Sequence, residues 1–349
     1  EEDFNLGKRY NLHGEDLLED NGVYKLSVPL VGGVHIRKAA TIIQTALNDR
    51  LIAVHSIKHS VAHSWRAKKP VIYRATSQWM IQAKKLVDNA LTALESIQFI
   101  PSANKSTFRS VLKDRPDWCI SRQRICGVPL AIFYHKKTKK IAKFALQNTI
   151  EYLDKNGISA WWNSDVKTLL LQEHADEYEK ASDILDVWFE SGCTQAIVLK
   201  QMNTFPADVY LEGQDQFRGW FQSSLLNACK DGPISPYKKL ITHGFVVDKN
   251  NNKMSKSLGN VIAPQELIDE YGVDTLRIWA LSQSYEGNIR YSKQNMQKAD
   301  EMEKRFRNTL RFLLGNIHYL EENNSSEVIY DELDFTEKWI LAELYDLEQ

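Results

Sequence analysis

Two lysines three residues apart carry the clearest chemical signal in the chain. Lys253 and Lys256 lie in the pentapeptide Lys-Met-Ser-Lys-Ser, residues 253–257, with Gly259 close behind. An apolar run over residues 240–247 predicts a strand that leads into this polar, asparagine-rich loop. Two ammonium groups flanked by serine hydroxyls predict a site for a polyphosphate, and the glycine lets the backbone approach it. The alternative for a Lys/Ser run of this kind is an ordinary solvated surface loop.

The elements around this loop alternate between strand-like and helical runs from about residue 80 to residue 292. Predicted strands cover residues 130–135, 209–213 and 240–247, and predicted helices cover residues 164–180 and 215–230. Such alternation predicts an α/β fold with a doubly wound, parallel, Rossmann-like sheet. Ligands in such sheets bind beyond the carboxyl ends of the strands. Glu212, Gly213 and the 253–257 loop fall at such positions.

Further elements are predicted on either side of this region. Residues 37–48 place apolar side chains on one side of a helix, and residues 71–75 have the character of a strand. After Tyr291, apolar residues recur at helical spacing. Another helix is predicted from Asp334, which fits an N-cap with Glu337 at the third helical position.

Composition limits the classes of protein that fit. The chain has 349 residues and a formal net charge of -1, so its overall charge does not favour nucleic acid, although a local basic face could still bind it. Its four cysteines lack Cys-x-x-Cys spacing and histidines at ligand spacing. This predicts free thiols in a reducing cytosol and no zinc or other metal site. No apolar run approaches membrane-spanning length, which predicts a cytoplasmic protein without membrane contact.

Three further segments, together with the lysine loop, give the chain a specific resemblance. Residues 117–127 read Asp-Trp-Cys-Ile-Ser-Arg-Gln-Arg-Ile-Cys-Gly, residues 186–192 read Asp-Val-Trp-Phe-Glu-Ser-Gly, and residues 211–221 read Leu-Glu-Gly-Gln-Asp-Gln-Phe-Arg-Gly-Trp-Phe. In order and spacing these segments resemble the class I aminoacyl-tRNA synthetases, and within them the isoleucyl-tRNA synthetases. Three positions depart from that pattern: Cys126 stands for Trp, Glu190 for Asp and Phe217 for His.

The resemblance implies three domains, with the chain cut at both ends. Residues 1–68 would be the C-terminal part of an inserted editing domain. Residues 69–292 would be the C-terminal part of the class I catalytic domain, and residues 293–349 the start of a helical anticodon-binding domain. The chain opens without Met and holds no His-x-Gly-His, the family's other ATP motif. We therefore expect a fragment that is inactive by itself.

The activity implied by the resemblance is that of an isoleucine–tRNA ligase. Such an enzyme forms isoleucyl-adenylate from isoleucine and ATP, passes isoleucine to tRNA(Ile) and edits mischarged valine. Its partners would be tRNA(Ile), isoleucine and ATP with Mg2+, and the parent enzyme would be monomeric. The alternative is a non-catalytic tRNA-binding or split-gene fragment of the same fold. Arg122 and Arg124 admit two roles, a contact with tRNA phosphates or an internal ion pair.

The resemblance also implies roles for individual residues. Lys256, and less directly Lys253, would neutralise the charge that develops on pyrophosphate. The ATP-binding loop would comprise Lys253, Met254, Ser255, Lys256 and Ser257. The residues placed to bind substrate or adenylate are Glu212, Gly213, Asp215, Gln216 and Trp220. Glu212 and Trp220 also admit purely structural roles, and Asp3 would hold the α-ammonium group of the misacylated residue during editing.

Overall fold

The computed structural model describes residues 2–12, 16–64, 67–74, 76–170, 175–256, 258–322 and 329–349. The chain divides into two compact units, each made of two segments. The first unit comprises Glu1–Gln82 with Asp117–Asp186, and the second comprises Ala83–Pro116 with Val187–Gln349. The domain boundaries predicted at residues 68 and 292 stay predictions. Among the described residues, no helix combines the length and the apolar character needed to cross a membrane.

The elements are numbered in chain order. The helices are α1 (Glu2–Arg9), α2 (Ile36–Leu47), α3 (Ala83–Ala93), α4 (Asn104–Lys113), α5 (Leu146–Asn156), α6 (Ala160–Asn163), α7 (Val166–Leu170), α8 (Val187–Gly192), α9 (Trp220–Ala228), α10 (Pro264–Tyr271), α11 (Val273–Leu281), α12 (Lys293–Glu322) and α13 (Phe335–Glu348). The strands are β1 (Met80–Ile81), β2 (Gln98–Ile100), β3 (Trp118–Cys119), β4 (Ser121–Arg122), β5 (Phe133–His135), β6 (Tyr178–Lys180), β7 (Ile184–Leu185), β8 (Ala207–Gly213), β9 (Tyr237–His243), β10 (Val246–Val247) and β11 (Ile289–Arg290).

The first unit packs helices against short antiparallel strand pairs. The pairs are β1 with β3, β4 with β7, and β5 with β6. Its core centres on Phe133 and Trp161, whose rings meet edge to face with centroids 5.0 Å apart. Leu169 and Leu170 of α7 are buried in the same cluster. The Lys180 Nζ lies 5.5 Å from the centroid of the Trp161 ring, so a residue of β6 contacts the edge of this core.

The helix predicted over residues 164–180 is confirmed in part, by α7 and by a 3-10 turn at Ala175–Glu177, but it is wrong for residues 178–180. Within that range the structure has α7 and, further on, β6, while residues 171–174 lie outside the described part. β6 pairs with β5, so that Phe133 lies opposite Lys180 and His135 opposite Tyr178. The partner strand is distant in the sequence, and its pairing overrides the local helical pattern.

Two other local predictions in this unit have opposite outcomes. The helix predicted over residues 37–48 is confirmed by α2. The strand predicted over residues 71–75 is wrong for residues 71–74, which form no strand, and Ala75 lies outside the described residues. The Val71 N–H instead donates to the Ala62 carbonyl oxygen at 2.9 Å. This bond joins two parts of a loop and does not continue into the hydrogen-bond ladder of a sheet.

The second unit is built on a three-stranded parallel sheet in the order β2–β9–β8. The pairing of β8 with β9 runs from Ala207 opposite Tyr237 to Gly213 opposite His243. The predicted strand at residues 209–213 is confirmed by β8. A parallel sheet whose strands are connected through helices confirms the predicted α/β fold class.

Helices α3, α4 and α9 supply the core on one face of this sheet. Phe108 of α4 stacks on Phe217, with ring centroids 5.3 Å apart, and Tyr210 of β8 is buried on the same face. On the opposite face Val209 and Leu211 remain 45% and 57% exposed. The sheet therefore has one covered face and one face that leaves apolar side chains in solvent.

The strand predicted over residues 240–247 ends at His243. Its chain passes another segment at Gly244, whose N–H donates to the Tyr285 carbonyl oxygen at 3.0 Å. A Cβ at Gly244 would lie 2.2 Å from the Gly287 carbonyl oxygen, so only glycine permits this approach. The chain then resumes as β10, which pairs in parallel with β11. The predicted single strand is therefore two strands in two sheets.

The helices predicted in the second unit are largely confirmed. The run predicted over residues 215–230 forms α9, preceded by a 3-10 turn over Gln214–Arg218. The apolar pattern after Tyr291 forms α12. Asp334 caps α13 as predicted: its carboxylate accepts from the Glu337 N–H at 2.9 Å, and the Glu337 carboxylate accepts from the Asp334 N–H at 2.8 Å.

We expect Gly244→Ala to destabilise the second unit by about 1–3 kcal/mol, the usual cost of forcing a methyl group into a packed position. The added Cβ would meet the backbone of Gly287 and Asn288, which cannot turn aside as a side chain would. Gly287→Ala is the matched control, because a Cβ there meets nothing within 4 Å. Urea unfolding followed by tryptophan fluorescence measures both variants. Equal midpoints would contradict the close approach.

Candidate active site

The carboxyl ends of β8 and β9 bring predicted and unpredicted residues together. In the register of the sheet, Glu212 lies opposite Thr242 and Gly213 lies opposite His243. Glu212 is half-buried, and among the described residues its carboxylate has no hydrogen-bond or ion-pair partner. A half-buried carboxylate without an internal partner, at the ligand-binding edge of a parallel sheet, is suited to accept hydrogen bonds from a ligand.

Gly213 and Asp215 meet at this strand end. Gly213 is buried, and a Cβ added to it would lie 2.7 Å from Asp215 Oδ1. The Asp215 carboxylate therefore folds back over the end of β8, in space that any side chain at position 213 would occupy. The structure places these two predicted residues side by side, with Asp215 exposed on the turn that follows the strand.

Sequence reasoning missed Thr242 and His243. Thr242 is fully buried, and its Oγ1 accepts from Asn104 Nδ2 at 2.5 Å, which ties the start of α4 to the strand end. His243 is half-buried, and its Nδ1 lies 2.8 Å from the Gly244 carbonyl oxygen. With its proton on Nδ1, the imidazole donates to that oxygen and leaves Nε2 as an acceptor. Thr242 and His243 are the last residues of β9, and the predicted strand ran on to residue 247. Placing the strand end at residue 243 would have put both residues at the carboxyl edge of the sheet.

Gln216 and Trp220 both have structural partners. Gln216 Oε1 accepts from the Trp220 N–H at 3.0 Å, so it caps the start of α9. The Trp220 ring stacks on Tyr210 at 4.1 Å with an interplanar angle of 10°, and its Nε1 donates to the Ser191 carbonyl oxygen at 3.0 Å. These contacts give both side chains a structural role. Their roles in ligand binding stay predictions.

The two lysines of the loop have different surroundings. The Lys253 Nζ lies 3.9 Å from the centroid of the Phe245 ring, a cation–π contact. Lys256 is exposed, and within the described part of the chain it has no hydrogen-bond or ion-pair partner. Of the two ammonium groups, that of Lys256 has no partner among the described residues, while that of Lys253 contacts the Phe245 ring.

The remaining predicted residues are placed as follows. Met254 and Ser255 are half-buried in the loop, and the Ser255 N–H donates to Asn260 Oδ1 at 2.9 Å. Ser257 lies outside the described residues. Asp3 belongs to α1 in the first unit, and its side chain lies outside the described part of the chain.

Arg122 forms an internal ion pair in the first unit. Its Nη2 lies 3.0 Å from Asp186 Oδ1, and the Asp186 side chain is only 5% exposed. Trp118 Nε1 donates to Asp186 Oδ2 at 2.9 Å, and Arg122 Nη1 donates to two backbone carbonyl oxygens at 2.8 Å. Of the two roles that the sequence left open, Arg122 has the internal one. Arg124 is exposed.

The three departures from the family pattern differ in their surroundings. Phe217 is buried against Phe108 and Phe221, so an apolar ring suits that position. Cys126 is exposed and Glu190 is half-buried in α8. Nothing in the structure explains these two substitutions.

The described residues hold no metal-ligand cluster, and a cavity in the first unit lies among residues outside the predicted set. Among the described residues, no group of three or more His, Cys, Asp or Glu side chains could hold a metal ion. Burial raises the pKa of the Cys229 thiol to about 11, which keeps it protonated and inert as a ligand. A cavity of about 910 Å³ in the first unit is lined by other residues, including Trp79 and Arg74, which is paired with Asp16 and Asp20.

The structure defines an α/β protein whose second unit holds a three-stranded parallel sheet and the lysine loop. A family model described as tRNA synthetases class I (I, L, M and V) matches residues 18–292. Because that match covers well over half of the chain, the chain belongs to the class I tRNA synthetase family.

Individual relatives carry a more particular name. Isoleucine–tRNA ligase of Alcanivorax borkumensis is 43% identical over 329 residues, which make up 92% of this chain and 35% of that protein. The enzymes of the same name from Hahella chejuensis and Caldicellulosiruptor bescii are 40% and 41% identical, over 100% and 99% of this chain. The chain spans 35–39% of the length of these relatives. A structure of Mycobacterium tuberculosis methionyl-tRNA synthetase bound by methionyl-adenylate overlaps 68% of this chain and 40% of its own, with 17% identity and a TM-score of 0.40, too partial a match to inform the site.

We expect Arg122→Ala to lower the free energy of unfolding by about 3 kcal/mol, because it leaves the buried Asp186 carboxylate without its ion-pair partner. Arg124→Ala is the control and should change that free energy by no more than about 0.5 kcal/mol, as is usual at an exposed position. Urea unfolding of the two variants measures the difference. A loss of tRNA affinity in Arg122→Ala at unchanged stability would instead favour the phosphate contact.

Proposed function

We propose that this chain is the part of an isoleucine–tRNA ligase that carries the lysine loop of its ATP site. The family match and the relatives named isoleucine–tRNA ligase support this assignment. In the proposed reaction the isoleucine carboxylate attacks the α-phosphorus of ATP. The bond from that phosphorus to the bridging oxygen breaks, and pyrophosphate leaves with the electron pair. A terminal hydroxyl of tRNA(Ile) then attacks the carbonyl carbon of isoleucyl-adenylate, and AMP leaves.

One observation carries the proposal: Lys256 presents an exposed ammonium group with no partner among the described residues, on a loop that hydrogen bonds hold at its base. Negative charge builds on the phosphates as pyrophosphate leaves, and a fixed positive charge stabilises that transition state. Lys253, resting on Phe245, assists less directly. Met254, Ser255 and Ser257 would shape the loop around the phosphates.

The strand-end residues would bind the adenylate. The Glu212 carboxylate accepts hydrogen bonds from the ammonium group of isoleucine or from the ribose hydroxyls. Gly213 leaves room for the Asp215 carboxylate at the strand end, and the two residues together would offer the ligand the backbone of Gly213 and a further carboxylate acceptor. Gln216 and Trp220 would act by holding the start of α9 in place behind these groups.

The proposal extends to the partners and to the rest of the enzyme. Mg2+ would come bound to the phosphates of ATP, whose charge it would help to neutralise. The resemblance further supports tRNA(Ile) as partner, Asp3 as an editing residue, and a monomeric, cytoplasmic enzyme. It also supports domain boundaries near residues 68 and 292.

We expect Lys256→Ala to slow the formation of isoleucyl-adenylate by about a hundredfold, the usual effect of removing one group that stabilises transition-state charge. The affinity for isoleucine should change little, because the lost charge acts as the transition state develops. Rapid-quench kinetics in the full-length enzyme that carries this chain measures the rate.

Lys249→Ala is the matched control for Lys256→Ala. It removes the same charge from the same loop, and Lys249 is likewise exposed without a partner among the described residues. We expect it to keep the parent rate. An unchanged rate in Lys256→Ala would remove Lys256 from the proposed mechanism.

We expect Glu212→Gln to weaken the binding of a non-hydrolysable isoleucyl-adenylate analogue by about 1.5–3 kcal/mol, the range for hydrogen bonds to a charged group. Glu301→Gln, an exposed position on α12, is the control. Titration calorimetry with the full-length enzyme measures both affinities. Equal affinity in the Glu212 variant and the parent would leave Glu212 with only its structural role.

A further inference from the structure

We propose that Asp248 and Asn260 form a positioning pair that fixes the base of the lysine loop and thereby sets where Lys256 lies. The inference rests on the proposed role of this loop in binding ATP. It concerns two residues on either side of the pentapeptide, and neither was predicted from the sequence.

Asp248 organises the turn that precedes the lysines. Its Oδ1 accepts from the Asn250 N–H and from the Asn252 N–H, each at 2.9 Å. The Asp248 N–H donates to the Asn252 carbonyl oxygen at 3.0 Å. Asn251, within this turn, has a φ of 66°, in the left-handed region that asparagine tolerates. The carboxylate therefore holds a tight reversal, after which the chain runs back along β10.

Asn260 closes the loop from its other side. Its Oδ1 accepts from the Ser255 N–H at 2.9 Å, and its Nδ2 donates to Asp248 Oδ2 at 3.0 Å. A longer contact of 3.5 Å joins Nδ2 to the Lys253 carbonyl oxygen. The neighbours fix the orientation of the amide, because an N–H needs the oxygen and a carboxylate needs the nitrogen. One side chain thus joins the turn before the lysines to the backbone between them.

The position of Lys256 depends on the Asp248–Asn260 pair through the backbone of Ser255, the residue before it. The Leu258 N–H donates to the Ser255 carbonyl oxygen at 3.1 Å, so a single turn at the loop tip starts at Ser255. The bond from Ser255 N–H to Asn260 anchors that turn. The hydrogen bond from Asn260, followed by those from the backbone, lowers the pKa of Asp248, so its carboxylate stays ionised at neutral pH. Fixing the backbone in advance spares the reaction the cost of ordering the charge it uses.

Reciprocal exchange tests the pair. Asp248→Asn places an amide against an amide, and Asn260→Asp places a carboxylate against a carboxylate. The double variant restores one donor and one acceptor between the two positions. It also keeps acceptors for the backbone N–H groups of Ser255 and of the Asn250–Asn252 turn. It loses two long contacts of 3.5 Å, from Asn260 Nδ2 to the Lys253 carbonyl oxygen and from Asn252 Nδ2 to Asp248 Oδ2.

Each single variant is expected to slow adenylate formation in the full-length enzyme on the order of tenfold, with the KM for isoleucine nearly unchanged. The double variant should return to within about threefold of the parent rate. Asn250→Ala is the matched control, because it keeps the backbone bond to Asp248 and removes a side chain with no partner among the described residues. It should keep the parent rate.

Tryptic cleavage after Lys253 and Lys256 gives a readout independent of catalysis. Loss of the hydrogen bond between Asn260 and Asp248 makes the loop more mobile. Trypsin should therefore cut each single variant several-fold faster at these two bonds, with cleavage at other sites unchanged. The double variant should return to the parent cleavage rate. Mass spectrometry of the peptides released from the native full-length enzyme follows both bonds.

The outcomes separate this inference from the function on which it rests. Parent-like cleavage and parent-like kinetics in both single variants would overturn the positioning pair, as would a defect that the double variant does not repair. If Lys256→Ala keeps the parent rate while cleavage follows the expected pattern, the pair stands as the brace of the loop and the role of the loop in ATP chemistry fails.

Discussion

Parallel pairing of β8 with β9 decides which side chains meet at the carboxyl edge of the sheet. Glu212 lies beside Thr242 only in this register, and a slip by one residue would turn each side chain to the opposite face. Packing on the covered face holds the register, since Leu240 is fully buried and Tyr210 is stacked on Trp220 of α9. The aromatic core thus helps to hold the Glu212 carboxylate, which has no partner among the described residues, at the carboxyl edge of the sheet.

The position of β9 in the sheet also determines where the lysine loop begins. The chain leaves β9 at His243 and must pass a distant segment at Gly244, where no side chain fits. The Phe245 N–H then donates to Asn288 Oδ1 at 2.9 Å, which fixes the backbone at the residue whose ring Lys253 contacts. Each step from the sheet to the loop is therefore held by a specific contact, and a shift in β9 would be passed on to the lysines.

Apolar periodicity and capping residues correctly predicted the elements that depend mainly on contacts between residues close in the sequence. β8 and α12 follow from periodicity, and the capping box at Asp334 follows from residue type and spacing. Residues 178–180 were mispredicted as helix because β6 exists only through its pairing with β5. In the candidate site, the lysines and Glu212 were predicted from their chemical type, their positions at the ends of predicted strands and the family resemblance. Asp248 and Asn260 were not, because Asp and Asn in an asparagine-rich loop look like ordinary turn formers, and only the folded loop brings the two together.

The different resting places of the two lysines suit different parts of the proposed reaction. A cation–π contact at a partly exposed ring contributes about 0.5–1 kcal/mol, so Lys253 leaves Phe245 at small cost when phosphates arrive. Lys256 gives up no partner among the described residues, and its whole electrostatic effect is available to the phosphates. Its mobility is restricted where the backbone is tied through Ser255 to Asn260. Because the base of the loop is fixed before ATP binds, less conformational entropy is lost on binding, and the charge of Lys256 acts where the reaction creates negative charge.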